Sequence, residues 1–272
     1  QVPFEQRMIP ARPGQLEVGI VVINAGKAGL RPAILYTHGG GFVSGSAKAS
    51  IAELQQVCLA LDCVAVSVDY RLAPEARWAQ SVEDNYAGLK WLHANAEALG
   101  VDPARIALLG DSAGGGHAAL LAIAARDRGE VPVAFQCLVY PMLDDRTGST
   151  RVPPPHVGQL VWTAEANRFG WESFLGHRPG GRSVPKGAVP ARVADLSGLP
   201  PAWIGVGSID LFHDEDVDFA QRLNAAGVPA ELIVVPGGFH GFDNMPATIR
   251  VVRQFNEAKL AALRAGLGIP SA

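Results

Sequence analysis

Residues 106–116 read Ile-Ala-Leu-Leu-Gly-Asp-Ser-Ala-Gly-Gly-Gly. An apolar run over 106–109 stops at Gly110, Ser112 follows, and an Ala/Leu-rich stretch continues to about Arg126. The pattern predicts a strand, a sharp turn and a helix, with the serine at the apex. Gly110-x-Ser112-x-Gly114 fits a nucleophile elbow, whose strained serine needs neighbours without Cβ so that strand and helix can approach. The serine oxygen then projects from the top of a sheet, and the helix N-terminus behind it favours developing negative charge. An ordinary glycine turn capping a helix gives the same five residues. Such a match arises by chance in roughly one chain in ten, so the partners must decide.

Outward from the elbow, short β-branched runs alternate with helical spacing. Strands are predicted at 18–23, 33–37, 64–68, 133–139, 202–206 and 231–235, with a turn at 26–32. Helices are predicted at 51–61, 81–99, 213–226 and 248–263, the second opened by a Ser81/Asp84 capping pair. This alternation predicts an α/β fold: a mostly parallel central sheet with helices on both faces. The pattern breaks between Asp144 and Pro201, where Pro153-Pro154-Pro155 and Pro179-Gly180-Gly181 stand among Trp162, Phe169, Trp171 and Phe174. A stretch of that length inside a domain is more often a functional insertion than plain loop. The chain is therefore expected to be a single domain over 1–272, with an insertion at about 144–200.

Composition narrows the function. Of 272 residues, 48% are hydrophobic and 18% charged, enough for a substantial core, and the net charge is −3. No basic stripe with interleaved aromatics points to nucleic acid. No apolar run reaches the roughly 18 residues of a membrane span. Residues 1–10 lack a signal-peptide core. Cys58, Cys63 and Cys137 are an odd, sparse set in apolar stretches, which fits buried thiols in a reducing, cytoplasmic setting. No Cys/His spacing resembles a metal site, and nothing calls for a cofactor.

In a parallel sheet the chemistry collects beyond the C-terminal strand ends. Each unusual motif falls at such an end: Gly39–Gly41, Ser112, Asp210 and His240. A serine hydroxyl needs a base and a means of holding an oxyanion. His240, in Pro-Gly-Gly-Phe-His-Gly-Phe after the strand at 231–235, is the candidate base. His93, His117, His156, His177 and His213 fit a capping or surface role better. Asp210 is the candidate orienting carboxylate, preferred to Asp214 because the run Asp214-Glu215-Asp216 reads as helix N-terminal charge. Three glycines after His38, Gly39–Gly41, let backbone N–H groups face an oxyanion because no side chain blocks the approach, with Ala113 N–H as a further donor. The order Ser, Asp, His is that of the α/β-hydrolase triad.

With these motifs the chain resembles the hormone-sensitive-lipase-type esterases of the α/β-hydrolase superfamily, in the bacterial branch with a Gly-Asp-Ser-Ala-Gly elbow. The matching stretches are His38-Gly-Gly-Gly-Phe42, Asp69-Tyr-Arg-Leu-Ala-Pro-Glu75, Gly110-Asp-Ser-Ala-Gly-Gly115, Asp210 with Asp214-Glu215, and His240-Gly-Phe242. The resemblance implies an α/β-hydrolase fold and a serine carboxylesterase acting on short- to medium-chain acyl esters. It implies oxyanion donors at Gly40, Gly41 and Ala113, a cap that includes the insertion, and a homodimer through the sheet edge near 231–235. Two departures stand out. Little precedes the strand at 18–23, so the family's N-terminal cap is expected to be largely absent. The family's Asp-Pro-Leu-x-Asp-Glu becomes Asp210-Leu211-Phe212-His213-Asp214-Glu215, so local packing must differ. Phe42, Val43, Leu211 and Phe242 adjoin the motifs and are candidates to line the substrate pocket or to be core. Trp162 and Trp171 are candidates to cover the site or to anchor the insertion.

Three other readings compete. An amide hydrolase such as an arylformamidase would use the same machinery. A non-catalytic small-ligand receptor on this fold, like the plant gibberellin receptors, would lack the histidine that His240 supplies. A nucleotide binder is suggested only by Gly205-Val-Gly207, where Asp210 stands in place of the third glycine.

Overall fold

The computed structural model describes residues 2–14, 16–26 and 29–270. Eight strands form one sheet: β1 (Phe4–Ile9), β2 (Val18–Ile23), β3 (Arg31–Thr37), β4 (Val64–Asp69), β5 (Val101–Asp111), β6 (Phe135–Val139), β7 (Ala202–Gly207) and β8 (Ala230–Val235). Their spatial order is β1-β2-β4-β3-β5-β6-β7-β8. β2 runs antiparallel to both neighbours, and every pairing from β4 to β8 is parallel. Strands buried on both faces read as continuous apolar runs, and β3 and β6 are buried at every residue.

The helices are α1 (Ile51–Leu61), α2 (Trp78–Ala94), α3 (Ala96–Leu99), α4 (Ala113–Arg128), α5 (Ala164–Leu175), α6 (His213–Ala225) and α7 (Arg250–Gly266). Alternate strand residues serve opposite layers because side chains in a strand point to opposite faces. Leu35, Val66, Leu108 and Leu138 join α2, α4 and α6 in one core. Ile34, Tyr36, Leu109 and Cys137 join α1 and α7 in the other. A third apolar cluster of Phe42, Met142, Trp171, Phe174, Leu211 and Phe212 ties α5 to the strand ends.

Several local expectations change. β1 was not legible: five of its six residues are exposed at the sheet edge, so no apolar run marks it. The second helix begins at Trp78 rather than 81, and the Ser81/Asp84 capping pair does not form. Gln80 Oε1 instead accepts the Arg77 N–H at 3.1 Å. Ser81 Oγ turns to the carbonyl of Trp78. Asp84 is buried and accepts from Arg71 Nε and Nη2, both at 2.8 Å. The same segment breaks at Asn95, and Gly100 ends α3 in the left-handed region. The insertion holds one true helix, α5, capped by the Thr163 hydroxyl and stopped at left-handed Gly176. Within the turn expected at 26–32, Lys27 and Ala28 lie outside the described residues.

Candidate active site

Ser112 sits between β5 and α4 with φ 56°, a left-handed backbone that a side-chain-bearing residue adopts only under constraint. β6 and the chain beyond it supply that constraint. Ser112 N–H donates to the carbonyl of Val139 at 2.9 Å, and the Ser112 carbonyl accepts from Met142 N–H at 2.9 Å. The glycines permit the close crossing. A Cβ on Gly114 would lie 2.0 Å from the Thr37 carbonyl oxygen, and one on Gly110 2.3 Å from that of Gly114.

Two remote loops complete the site. Asp210, beyond β7, is fully buried; its Oδ1 accepts the Phe212 N–H at 2.9 Å. Its Oδ2 lies 2.9 Å from His240 Nδ1, and His240 Nε2 lies 2.9 Å from Ser112 Oγ. With Nδ1–H donating to the carboxylate, Nε2 is left to accept the serine proton. Tyr140 and Phe212 stand edge-on to the imidazole at 4.6 and 5.1 Å. Phe212 thus walls in the imidazole. Asp214 pairs instead with His213, and its side chain is 86% exposed.

The glycine loop after β3 approaches from the other side. Gly40 and Gly41 have φ of 123° and 61°, conformations open to glycine. The loop is braced by the string that begins at Asp69. Tyr70 donates its hydroxyl to the His38 carbonyl at 2.6 Å and stacks on that imidazole at 4.2 Å. Ala73 N–H donates to the Phe42 carbonyl at 2.9 Å. Ala113 opens α4, where backbone N–H groups have no intrahelical acceptor. The arrangement can move a proton along a serine–histidine–carboxylate row beside backbone donors suited to an oxyanion.

A family model described as the α/β hydrolase fold matches residues 34–244. The chain belongs to that family. Relatives of this α/β hydrolase include carboxylesterase NlhH of Mycobacterium tuberculosis, 36% identical over 242 residues, covering 87% of this chain and 74% of that one. The ethyl acetate hydrolase of Pseudomonas putida is 33% identical over 226 residues, 80% of this chain and 68% of that one. Among solved structures, a bacterial heroin esterase superposes with TM-score 0.88 at 38% identity, covering 98% of this chain and 84% of that one. EstE1, a thermostable carboxylesterase from a metagenomic library, gives 0.87 at 36% identity, with 98% and 91% covered. These likenesses place the hydrolase in the hormone-sensitive-lipase-type branch.

The surroundings of the Ser112–His240–Asp210 row bear on the residues for which pocket and core were both open. Phe42 stacks on Phe174 at 4.0 Å, and Phe242 packs edge-on to Phe255 at 4.8 Å. Both are core side chains. Leu211 belongs to the apolar cluster under the insertion, and Val43 packs partly buried against it. Trp171 is fully buried and anchors α5, whereas Phe169 is exposed. Of the insertion's aromatics Trp162 reaches the site, 6.4 Å from the His240 ring. α5 itself bears on the glycine loop: a Cβ on Gly170 would lie 2.6 Å from the Gly41 carbonyl oxygen.

Only Asp214 of the acidic run stays in solvent. Glu215 and Asp216 are buried. Burial, and then the Asp144 charge, pushes the Glu215 carboxyl well above its ordinary range, while its Oε1 accepts N–H bonds from Leu143 and Asp144. Asp111, between Gly110 and Ser112, accepts a short hydrogen bond from Tyr36. Burial, and then the Glu53 charge, raises its pKa to about 6.

Proposed function

We propose that this α/β hydrolase is a serine carboxylic ester hydrolase, with Ser112 as nucleophile, His240 as base and acid, and Asp210 as the orienting carboxylate. The observation that carries this reading is the unbroken row from Ser112 Oγ through His240 to Asp210, each step 2.9 Å. Relatives bearing carboxylesterase and esterase names support it. His240 takes the Ser112 proton as Oγ attacks the ester carbonyl. N–H groups of Gly40, Gly41 and Ala113 hold the oxyanion. The alcohol leaves with the proton from His240, and water then repeats the sequence on the acyl-enzyme. The substrates are esters with short- to medium-chain acyl groups.

The test is hydrolysis of p-nitrophenyl butyrate together with labelling by a fluorophosphonate. The wild-type chain is expected to turn over the ester and take up one label. Ser112→Ala is expected to lose roughly 10⁴- to 10⁶-fold in turnover and all labelling. Near-normal turnover by that variant would sink the assignment.

The same reading includes a cytoplasmic setting, supported by the unpaired thiols of Cys58, Cys63 and Cys137. No helix among the described residues is long and apolar enough to cross a membrane. It also includes a homodimer through β8, whose outer edge carries no further strand among the described residues.

A further inference from the structure

Trp162 stands where a substrate has to arrive. A Cβ placed on Gly41 would lie 2.1 Å from the indole Cη2, so the far edge of the ring rests on the bare Cα of the oxyanion loop. The same ring is 6.4 Å from the His240 imidazole. It therefore flanks the space between the backbone donors and the base. The triad beneath is nearly closed off: Ser112 is 7% exposed and His240 6%.

The ring is held there from two directions. Its Nε1–H donates to Asn167 Oδ1 at 3.1 Å. Asn167 is fully buried and fixed in turn through Nδ2 to the Thr147 carbonyl at 2.8 Å. On the chain side, Trp162 N–H donates to the Leu160 carbonyl at 2.7 Å across Val161, whose φ is 64°. A tight three-residue turn with a β-branched residue in the left-handed region is strained. The Val161 side chain is mostly exposed and is not packed into a core that would explain the conformation. The turn's effect is to aim the tryptophan inward.

We propose that Trp162 is the specificity-determining wall of the site: it admits esters with a small group beside Gly41 and turns away those with a bulky one. The inference rests on the esterase reading above. Its origin is steric. A fixed indole occupies volume that a long acyl chain or a branched alcohol would need, whereas a smaller side chain at the same position leaves that volume open.

Two ester series test the proposal and assign the arm concerned. The acyl series runs from p-nitrophenyl acetate to octanoate; the alcohol series runs from methyl to cyclohexyl acetate. Wild-type hydrolysis of the small esters checks the esterase reading on its own, before any variant is made. Trp162→Ala is expected to raise the octanoate-to-acetate ratio of kcat/KM, or the cyclohexyl-to-methyl ratio, at least fivefold. Trp162→Phe should shift the same ratio less. Active sites are counted by fluorophosphonate titration, so that a partly unfolded preparation does not distort the comparison. If the alanine variant fails to fold, Trp162→Leu carries the same test. Smaller changes than fivefold in both ratios, in variants that titrate fully, overturn the proposal.

Discussion

His117 is a side chain whose surroundings dictate a pH response. It lies inside α4 among Phe42, Tyr70 and Phe174, at ring distances of 5.1, 4.3 and 5.4 Å, and neither ring nitrogen has a hydrogen-bond partner. Burial, with the nearby His38 charge adding to it, lowers its pKa to about 3. The unfolded chain binds a proton near pH 6.5, whereas the folded chain resists it down to about 3. Between those limits the unfolded state holds more protons, so this residue costs stability as pH falls, by about 1.4 kcal/mol per pH unit. Denaturant titrations from pH 7 to pH 4 should therefore show His117→Leu gaining on the wild type as the solution is acidified. A constant difference would mean that the imidazole is solvated. The site itself bears a second prediction at this scale. Asp210→Asn preserves the shape but favours the wrong imidazole tautomer, and turnover on p-nitrophenyl butyrate should drop about 10⁴-fold.

The residues of the row were legible in the sequence because each one carries a local signature. Glycines flank Ser112 for clearance, and Asp210 and His240 each lie in the loop that follows a strand, β7 and β8. Trp162 had no such mark. What brings it to Gly41 is a strained turn at Val161 and a buried asparagine, neither of which any local spacing betrays. The burial of Glu215 and Asp216 was hidden for a related reason. Acidic residues at a helix start satisfy the dipole whether they face water or protein.

Elements were readable where burial was one-sided or complete, as in α1, β3, β4 and β7. They were misjudged where contacts from elsewhere took over. α2 starts three residues early because Gln80 serves the Arg77 N–H, and Asp84 was drawn off by Arg71. α5 was masked by the proline- and glycine-rich surroundings, although Thr163 and Gly176 are ordinary helix start and stop residues. The crossing of α4 over β3 gives a sharp prediction. Gly114→Ala drives a methyl group against the Thr37 carbonyl and the His38 backbone, with no flexible side chain to yield. Melting should fall by the equivalent of about 1–3 kcal/mol or more. The insertion gives another. Asp145 is fully buried and takes Arg192 Nε at 2.7 Å. Arg192→Met strands that carboxylate and should cost about 3–5 kcal/mol in denaturant unfolding. An unchanged midpoint would show that the Gly180 N–H, 2.7 Å from Asp145 Oδ2, suffices alone.

At the level of the whole molecule, the sheet order leaves β1 and β8 at the two margins. β1 carries charged and polar residues that discourage pairing, whereas β8 carries Leu232, Ile233 and Val234, only partly buried. If two copies join along β8, Ile233→Lys should sediment as a monomer at micromolar concentration where the wild type is a dimer. A monomeric wild type would end that proposal.

The bare contact between Gly170 on α5 and the Gly41 carbonyl couples the two parts without any side chain to cushion them. Heat that lifts the insertion by even an ångström withdraws that packing support from the glycine loop beside Ser112. On warming, turnover is expected to fade before the circular dichroism of the sheet changes, and coincident loss of the two would show that the insertion and the sheet melt as one.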